Sequence, residues 1–385
     1  MIIKLHNQPR DYAWGSKTLI PDYFGTAETG RPMAEVWFGT HPGSPTQVEG
    51  AEAKTLAELL GRNLSFLLKI LAAETPLSIQ AHPSLEQARA GFDRENEKGI
   101  ALSASNRNYK DANHKPEMIV ALTEFEALCG FRPANQVRNL LLDMVEAPEV
   151  SDTFVAIASE WLESFDQGGL RALTSSILGF RAEGRELSGF NSELSKLADF
   201  SARFELAARL NELYPGDPGV VIALLMNHVV LAPGEALYLP AGNIHAYLAG
   251  LGVEIMANSD NVLRGGLTPK HIDVAELEKV LNFEAEPVPL VKPKELARGL
   301  FSYETAAQDF ELYRATLSSA NLLAEISLAK PSVLLCTAGL VSVTNSLGEQ
   351  IELSRGEAAY MSEDARHFSL AGSGELFIAA GRLTD

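Results

Sequence analysis

A mainly β fold, two barrels of the jelly-roll kind with an α-helical domain inserted, is the class this sequence predicts, and three observations predict it. From about residue 300 short apolar runs of period two recur at even spacing, as they do in closed antiparallel barrels and jelly rolls. The phrase Ala232-Pro233-Gly234-Glu235-Ala236-Leu237-Tyr238-Leu239 is echoed by Ser354-Arg355-Gly356-Glu357-Ala358-Ala359-Tyr360-Met361, which hints at one barrel made twice. Between about 134 and 226 the apolar period becomes helical, and that stretch contains no His and no Cys. The expected division is 1–133 with 227–300 as one barrel, 134–226 as the helical insertion, and 301–385 as the second barrel.

Composition narrows what such a chain does. Its 385 residues are 46% hydrophobic and 21% charged, and no low-complexity tract points to disorder. No stretch has the apolar length needed to span a bilayer, so a cytoplasmic protein is expected; separately, a monomer is expected. A formal net charge of −18 argues against nucleic acid and against anionic membrane as partners. Cys129 and Cys336 are too few and too distant for a disulfide framework or a thiolate metal site, so any metal must be held by His, carboxylate or amide oxygen.

Residues 1–50 read as short strands and turns around Tyr12-Ala13-Trp14-Gly15 and Ala34-Glu35-Val36-Trp37-Phe38-Gly39-Thr40-His41-Pro42, with His41 as a turn residue before proline. Thr55 can cap a helix through Leu56, Leu59 and Leu60. In Pro76-Leu77-Ser78-Ile79-Gln80-Ala81-His82-Pro83 an extended chain puts Ser78, Gln80 and His82 on one side, and a short helix follows from Leu85 to Phe92. Asn113-His114-Lys115-Pro116-Glu117 opens the next apolar strand. Asn135 can cap a helix carrying Val137, Leu140, Leu141 and Met144, and Leu194, Leu197, Phe200 and Phe204 continue the helical spacing. The last helix is expected to start at Pro215-Gly216-Asp217-Pro218 and end near Asn227-His228.

The stretch 236–270 holds the remaining polar residues of interest. Ile244, Ala246 and Leu248 fall on one face and His245 and Tyr247 on the other, while Val253, Ile255 and Ala257 repeat the period. Asn258-Ser259-Asp260 makes a turn before Arg264, and Gly265 and Gly266 are expected to leave room for a ligand to approach. Each element has a bland reading as a solvated face or a surface salt bridge. Together, Gln80, His82, Glu117 and His245 would offer two nitrogens and two oxygens, a set that suits zinc with an open position.

The segments PLSIQAHP, HKPEM, YLPAGNIHAYL and VEIMANSDNVLRGGLTPKHID resemble the zinc-dependent type I mannose-6-phosphate isomerase family, and YAWG and AEVWFGTHP match as well. The resemblance implies a cupin-type double barrel with a helical domain inserted. It implies one zinc ion on Gln80, His82, Glu117 and His245, a sugar phosphate substrate, and a catalytic Arg264, while the second barrel, in which His367 stands alone, is expected to be metal-free. Moving a proton between C1 and C2 through an enediol needs a base, for which His114, Lys115, Glu117 and Asp260 are the candidates. The phosphate needs cations and donors, for which Lys69, Lys115, Arg264 and Ser78 are candidates. Rival readings are a cupin oxygenase and a non-catalytic cupin that binds a sugar.

Overall fold

The computed structural model of the chain describes residues 1–182, 187–318 and 323–384. Two antiparallel sheets dominate it. In the first, the long strand His245–Ala257 is central: its opening residues pair with Ile79–Ala81 and Phe125–Phe131, and its later ones with Phe66–Ala73 and Glu117–Ala121. Leu263–Gly266 extends this sheet beyond Ile79–Ala81, and Ala236–Leu239 extends it beyond Glu117–Ala121. In the second, Ser332–Asn345 and His367–Gly381 form the centre, flanked by Phe310–Leu317 and Ala358–Met361. The N-terminal strand Ile2–His6 pairs with Ala358–Met361, so it lies in the second sheet although it opens the chain.

The long strand does not keep one phase. Its pairing with Phe125–Phe131 shifts register between Tyr247 and Ala249, and Gly250 follows at φ 122°. A Cβ there would stand 2.6 Å from the Glu124 carbonyl oxygen, so glycine is required both by the turn of the backbone and by the close strand. Such a bulge exchanges the faces of all that follows. His245 and Tyr247 face inward before it, and Glu254 and Met256 do after it. Val253 and Ile255 are thereby sent outward, where they pack with Val333, Leu335, Phe377 and Ala379 of the second sheet in one core.

The two sheets repeat one plan at residue level. Gly234 and Gly356 both stand at φ 89°, and Glu235 and Glu357 each accept a hydrogen bond from the amide three residues upstream, at 2.8 and 2.7 Å. Gly234 donates to the Ala121 carbonyl and Gly356 to the Cys336 carbonyl, both at 2.8 Å. Ala121 and Cys336 therefore correspond, and with them Lys115-Pro116-Glu117 and Lys330-Pro331-Ser332. His245-Ala246-Tyr247-Leu248-Ala249-Gly250 corresponds to His367-Phe368-Ser369-Leu370-Ala371-Gly372, whose glycine stands at φ 116°.

The helices Ala134–Val145, Asp152–Ala182, Ser188–Lys196, Glu205–Leu213 and Gly219–Leu224 cover the other outer face of the first sheet, sharing a core with Ile79, Ala81, Ile244, Ala246, Leu248 and Leu263. Asp152–Ala182 is broken at Gly169, where φ is 63° and ψ −155°. Three expectations differ here. Ala134–Val145 begins one residue before Asn135, directly after Pro133, so Asn135 is inside the helix and does not cap it. Phe200 is exposed because the chain breaks into short 3-10 turns at Leu197–Asp199 and Ala202–Phe204. The last helix of the insertion ends at Leu224, and Asn227-His228 already lie in the strand Met226–Leu231. None of the helices among the described residues is long and apolar enough to cross a membrane.

Candidate metal centre and substrate site

Sheet register assembles the site. Arg264 is opposite Gln80, and Gln80 is opposite His245, so three strands set these side chains in one row. Glu117, the first residue of Glu117–Ala121, pairs with Met256 on one side and Leu239 on the other. His82 follows Ile79–Ala81 directly. His82, Glu117 and His245 are all buried, and one candidate ligand atom of each lies within 4.8 Å of the others.

The histidines are aimed by backbone carbonyls. His82 Nδ1–H donates to the Asn261 carbonyl at 2.7 Å and His245 Nδ1–H to the Asn243 carbonyl at 3.0 Å. Each ring therefore turns its Nε2 lone pair inward, the arrangement metal-binding histidines adopt. His82 Nε2 stands 3.4 Å from Glu117 Oε1, and His245 Nε2 is 3.4 Å from both Glu117 Oε2 and the Gln80 amide. Ligand atoms about 2.1 Å from a tetrahedral zinc ion are separated by roughly this much. His82 Nε2 and Glu117 Oε2 are buried without a hydrogen bond, and leaving such atoms unpartnered costs about 1–3 kcal/mol each. A divalent cation at their common focus would satisfy both, so the residues fit the ion. Burial lowers the His82 pKa to about 4, which keeps the ring neutral and able to bind metal. Glu117, although burial opposes it, is held well below the usual carboxylate range by Lys115 and the two histidines.

The other expected residues divide into two groups. Lys115 belongs to the centre, with Nζ 2.9 Å from Glu117 Oε1. Arg264 is half-buried in the same row as Gln80, and burial lowers its pKa. Ser78 precedes Ile79–Ala81, and Asp260 stands in the turn between the two strands, 3.3 Å from His41 Nε2, whose hydrogen bond keeps the Asp260 pKa low. His41 is a turn residue as expected, with Nδ1 accepting from the Gly43 amide at 3.0 Å. His114 is engaged elsewhere: its Nε2 is 2.7 Å from Asp309, which immediately precedes Phe310–Leu317 and also pairs with Arg382 at 3.0 Å. Lys69 is buried in the first barrel, 2.8 Å from Glu254 and 3.4 Å from Glu35, with its ammonium 5.1 Å from the centre of the Trp37 ring. Burial opposes its charge, but Glu254 and Glu35 outweigh that and raise its pKa. A phosphate would have to compete with both carboxylates for it.

Gly266 is required by packing, whereas a Cβ on Gly265 would meet only ordinary van der Waals contacts. A Cβ on Gly266 would lie 2.4 Å from the Cα of Gly219, and one on Gly265 would touch Ile79 and Leu277 at 3.4 Å. The helix Gly219–Leu224 thus sits directly on the strand that carries Arg264, tied down by Asp217, whose carboxylate accepts from the Gly219 amide at 2.7 Å and the Leu267 amide at 2.8 Å.

Sequence reasoning missed two lysines and an acid. Burial lowers the Lys270 pKa and the Arg264 charge lowers it further; burial, Arg107 and Arg264 do the same to Lys110. Both lysines feel the Arg264 charge, while the Lys110 ammonium donates to the Leu102 carbonyl at 2.6 Å. Lys270 stands within the quoted segment VEIMANSDNVLRGGLTPKHID, but nothing in the spacing distinguishes it from a surface lysine. Glu254 was hidden by the bulge before it, which reverses the face that simple alternation assigns.

Known proteins match this architecture along its whole length. A family model described as phosphomannose isomerase type I, catalytic domain, matches residues 2–134. The mannose-6-phosphate isomerase of Escherichia coli strain K12 is 36% identical over 394 residues, spanning 97% of this chain and 98% of that protein. That of Schizosaccharomyces pombe is 31% identical and spans 92% of each. A crystal structure of the Salmonella typhimurium mannose 6-phosphate isomerase, bound to its substrate fructose 6-phosphate and zinc, superposes with a TM-score of 0.87 at 33% identity, covering 99% of this chain and all of that one.

Proposed function

The chain belongs to the type I mannose-6-phosphate isomerase family, and on that premise we propose that it is a zinc-dependent aldose–ketose isomerase interconverting mannose 6-phosphate and fructose 6-phosphate. The observation that carries the reading is the focus of buried, inward-turned donors from His82, Glu117 and His245 beside the Gln80 amide. Those four residues would hold one zinc ion. When bound, the ion would polarise the sugar oxygens on which negative charge develops.

The remaining work falls to side chains of this protein. Arg264 meets the charge of the enediolate with a guanidinium that stays protonated throughout. Lys115, beside Glu117, moves the proton between C1 and C2, and Asp260 stands at the edge of the site to assist in ring opening. Lys270, whose charge is opposed by that of Arg264, holds the phosphate together with Ser78, and Lys110 joins them only by giving up its bond to the Leu102 carbonyl. A sugar-binding protein without catalysis would not need a guanidinium in register with a metal ligand. We also propose that the metal-binding unit comprises 1–133 and 227–300 with Ile2–His6 lent to the second sheet, that 134–226 packs over it without supplying a ligand, and that the barrel of 301–385 holds no metal. The protein is read as a cytoplasmic monomer.

Incubating the purified protein with mannose 6-phosphate, with and without a chelator, tests the central reading. Fructose 6-phosphate should form only when the chelator is absent. Formation at the same rate in both would exclude a metal isomerase.

A further inference from the structure

Asn261 is fully buried in the turn between His245–Ala257 and Leu263–Gly266, and every polar group it carries is used. Its carbonyl accepts from His82 Nδ1 at 2.7 Å. Its side-chain oxygen accepts from the Lys110 amide at 2.6 Å and the Asp111 amide at 3.2 Å. Its side-chain nitrogen donates to the carbonyls of Asp111 and Asn113, both at 2.8 Å. Ser259 reinforces the joint, with Oγ 2.9 Å from Asp111 Oδ1 and 3.3 Å from the Asn113 carbonyl, and the Asp260 amide donates to Asp111 Oδ2 at 2.8 Å.

The segment held this way, residues 110–113, is a strap with no strand or helix of its own. It begins with Lys110 and leads within two residues to Lys115 and within four to Glu117. Asn261 itself precedes Arg264 by three residues. One side chain thus joins the strand end that carries Arg264 to the strap that enters the strand of Lys115 and Glu117, while the carbonyl of the same residue sets the ring of His82. A backbone strap without a ladder of its own needs such side-chain partners to keep a single position.

We propose that Asn261 is a positioning residue for the isomerisation, fixing Lys115 and Arg264 on either side of the substrate and His82 toward the metal in one mutual geometry. The assignment rests on the isomerase reading above. It makes the Asn-Ser-Asp-Asn turn part of the working site through Asn261, a residue that touches neither substrate nor metal. Because orientation of reacting groups is expressed in turnover, its loss should appear in kcat more than in KM.

Asn345 supplies the control. It is a similarly buried asparagine at the end of Ser332–Asn345 in the second sheet, accepting from the Leu347 and Glu349 amides at 3.0 Å each and donating to Glu349 at 2.7 Å. Asn261→Ala and Asn345→Ala should both lower Tm. At saturating zinc, and well below Tm, only Asn261→Ala should lose kcat, by at least about tenfold, with KM changed less than about threefold. Its zinc Kd should rise by about tenfold or more, and hydrogen exchange at the Lys110 and Asp111 amides should quicken by about a hundredfold. Should Asn261→Ala fail to fold, Asn261→Ser, which keeps one short donor and acceptor, should show the same changes in smaller degree. Unchanged kcat in folded, zinc-loaded Asn261→Ala, an equal loss in Asn345→Ala, or unchanged exchange in the strap would overturn the assignment. Failure of the isomerase reading itself would be seen separately, as no turnover by the zinc-loaded wild type, and the exchange and zinc-affinity readings would still decide whether Asn261 holds the strap.

Discussion

The two sheets share a turn, a Lys-Pro strand entry and a His-x-x-Leu-Ala-Gly strand, yet their interiors differ in kind. By register Glu117 corresponds to Ser332, Glu254 to Ile378 and Lys69 to Tyr313. Gln80, opposite His245, corresponds to Ser327, opposite His367. His245 is buried with its Nε2 facing Glu117, whereas His367 is exposed and its Nδ1 lies 2.8 Å from the Ser327 hydroxyl. The second interior is closed by Leu334, Cys336, Leu376, Ile378 and Ala380. The difference teaches that the scaffold is specified by glycines, turns and outward apolar faces, and that the metal centre is a small set of inward substitutions on it. On the proposed assignment, what separates His245 from His367 is the carboxylate that meets it from the neighbouring strand.

The largest expected effect breaks this comparison at its two histidines. His245→Ala should lose bound zinc and with it several kcal/mol of transition-state stabilisation, roughly a thousandfold in turnover. His367→Ala should retain both zinc and turnover, and metal analysis of the two variants side by side checks this. Arg264→Ala comes next. It should keep its zinc and most of its substrate affinity while turnover falls by about 2–4 kcal/mol, the range for removing one oxyanion donor. Steady-state kinetics showing only a raised KM would make Arg264 a binding contact instead.

A smaller effect concerns pH in the metal-free chain. His82 has a folded pKa near 4, below its usual value of 6.5, because burial disfavours the charged ring. Between those values the unfolded chain takes up a proton that the folded chain refuses. Stability from this group is therefore full above about pH 6.5 and is lost as pH falls toward 4, by up to about 3 kcal/mol. Urea titrations of the apoprotein at pH 7.5 and 4.5 should show it. His82→Gln should flatten the difference, while His367→Gln should leave it in place. The smallest effect is Gly266→Ala, which forces Gly219–Leu224 off its strand and should cost about 1–3 kcal/mol in a thermal or urea melt. Any matching loss of turnover would show that the helical layer helps to place Arg264.

Much of this was legible in the residues, because period-two alternation reports which side chain faces inward wherever a strand keeps its phase. Ile244, Ala246 and Leu248 do pack outward against the helices, and His245 turns in. The motif Gln80-x-His82 and the pair Lys115 and Glu117 do meet His245. Alternation failed where the backbone changed phase, so the bulge before Gly250 concealed Glu254. It was also silent on Asn261, whose partners are backbone atoms about 150 residues away in sequence and leave no periodic trace. A glycine pair such as Gly265-Gly266 carries no mark of what approaches it, a substrate or, as at Gly266, the backbone of Gly219. The helical ends moved for a similar reason: after Leu224 the chain turns straight into a strand, and apolar residues serve both elements equally well.

Zinc titration of the metal-free wild type, followed at once by calorimetry and by conversion of mannose 6-phosphate, tests the central claim most directly. One barrel holding one ion predicts a single binding step at one equivalent per chain, with isomerase activity rising in proportion and complete at that point. A second equivalent needed for activity, or full activity before any zinc is added, would contradict the account.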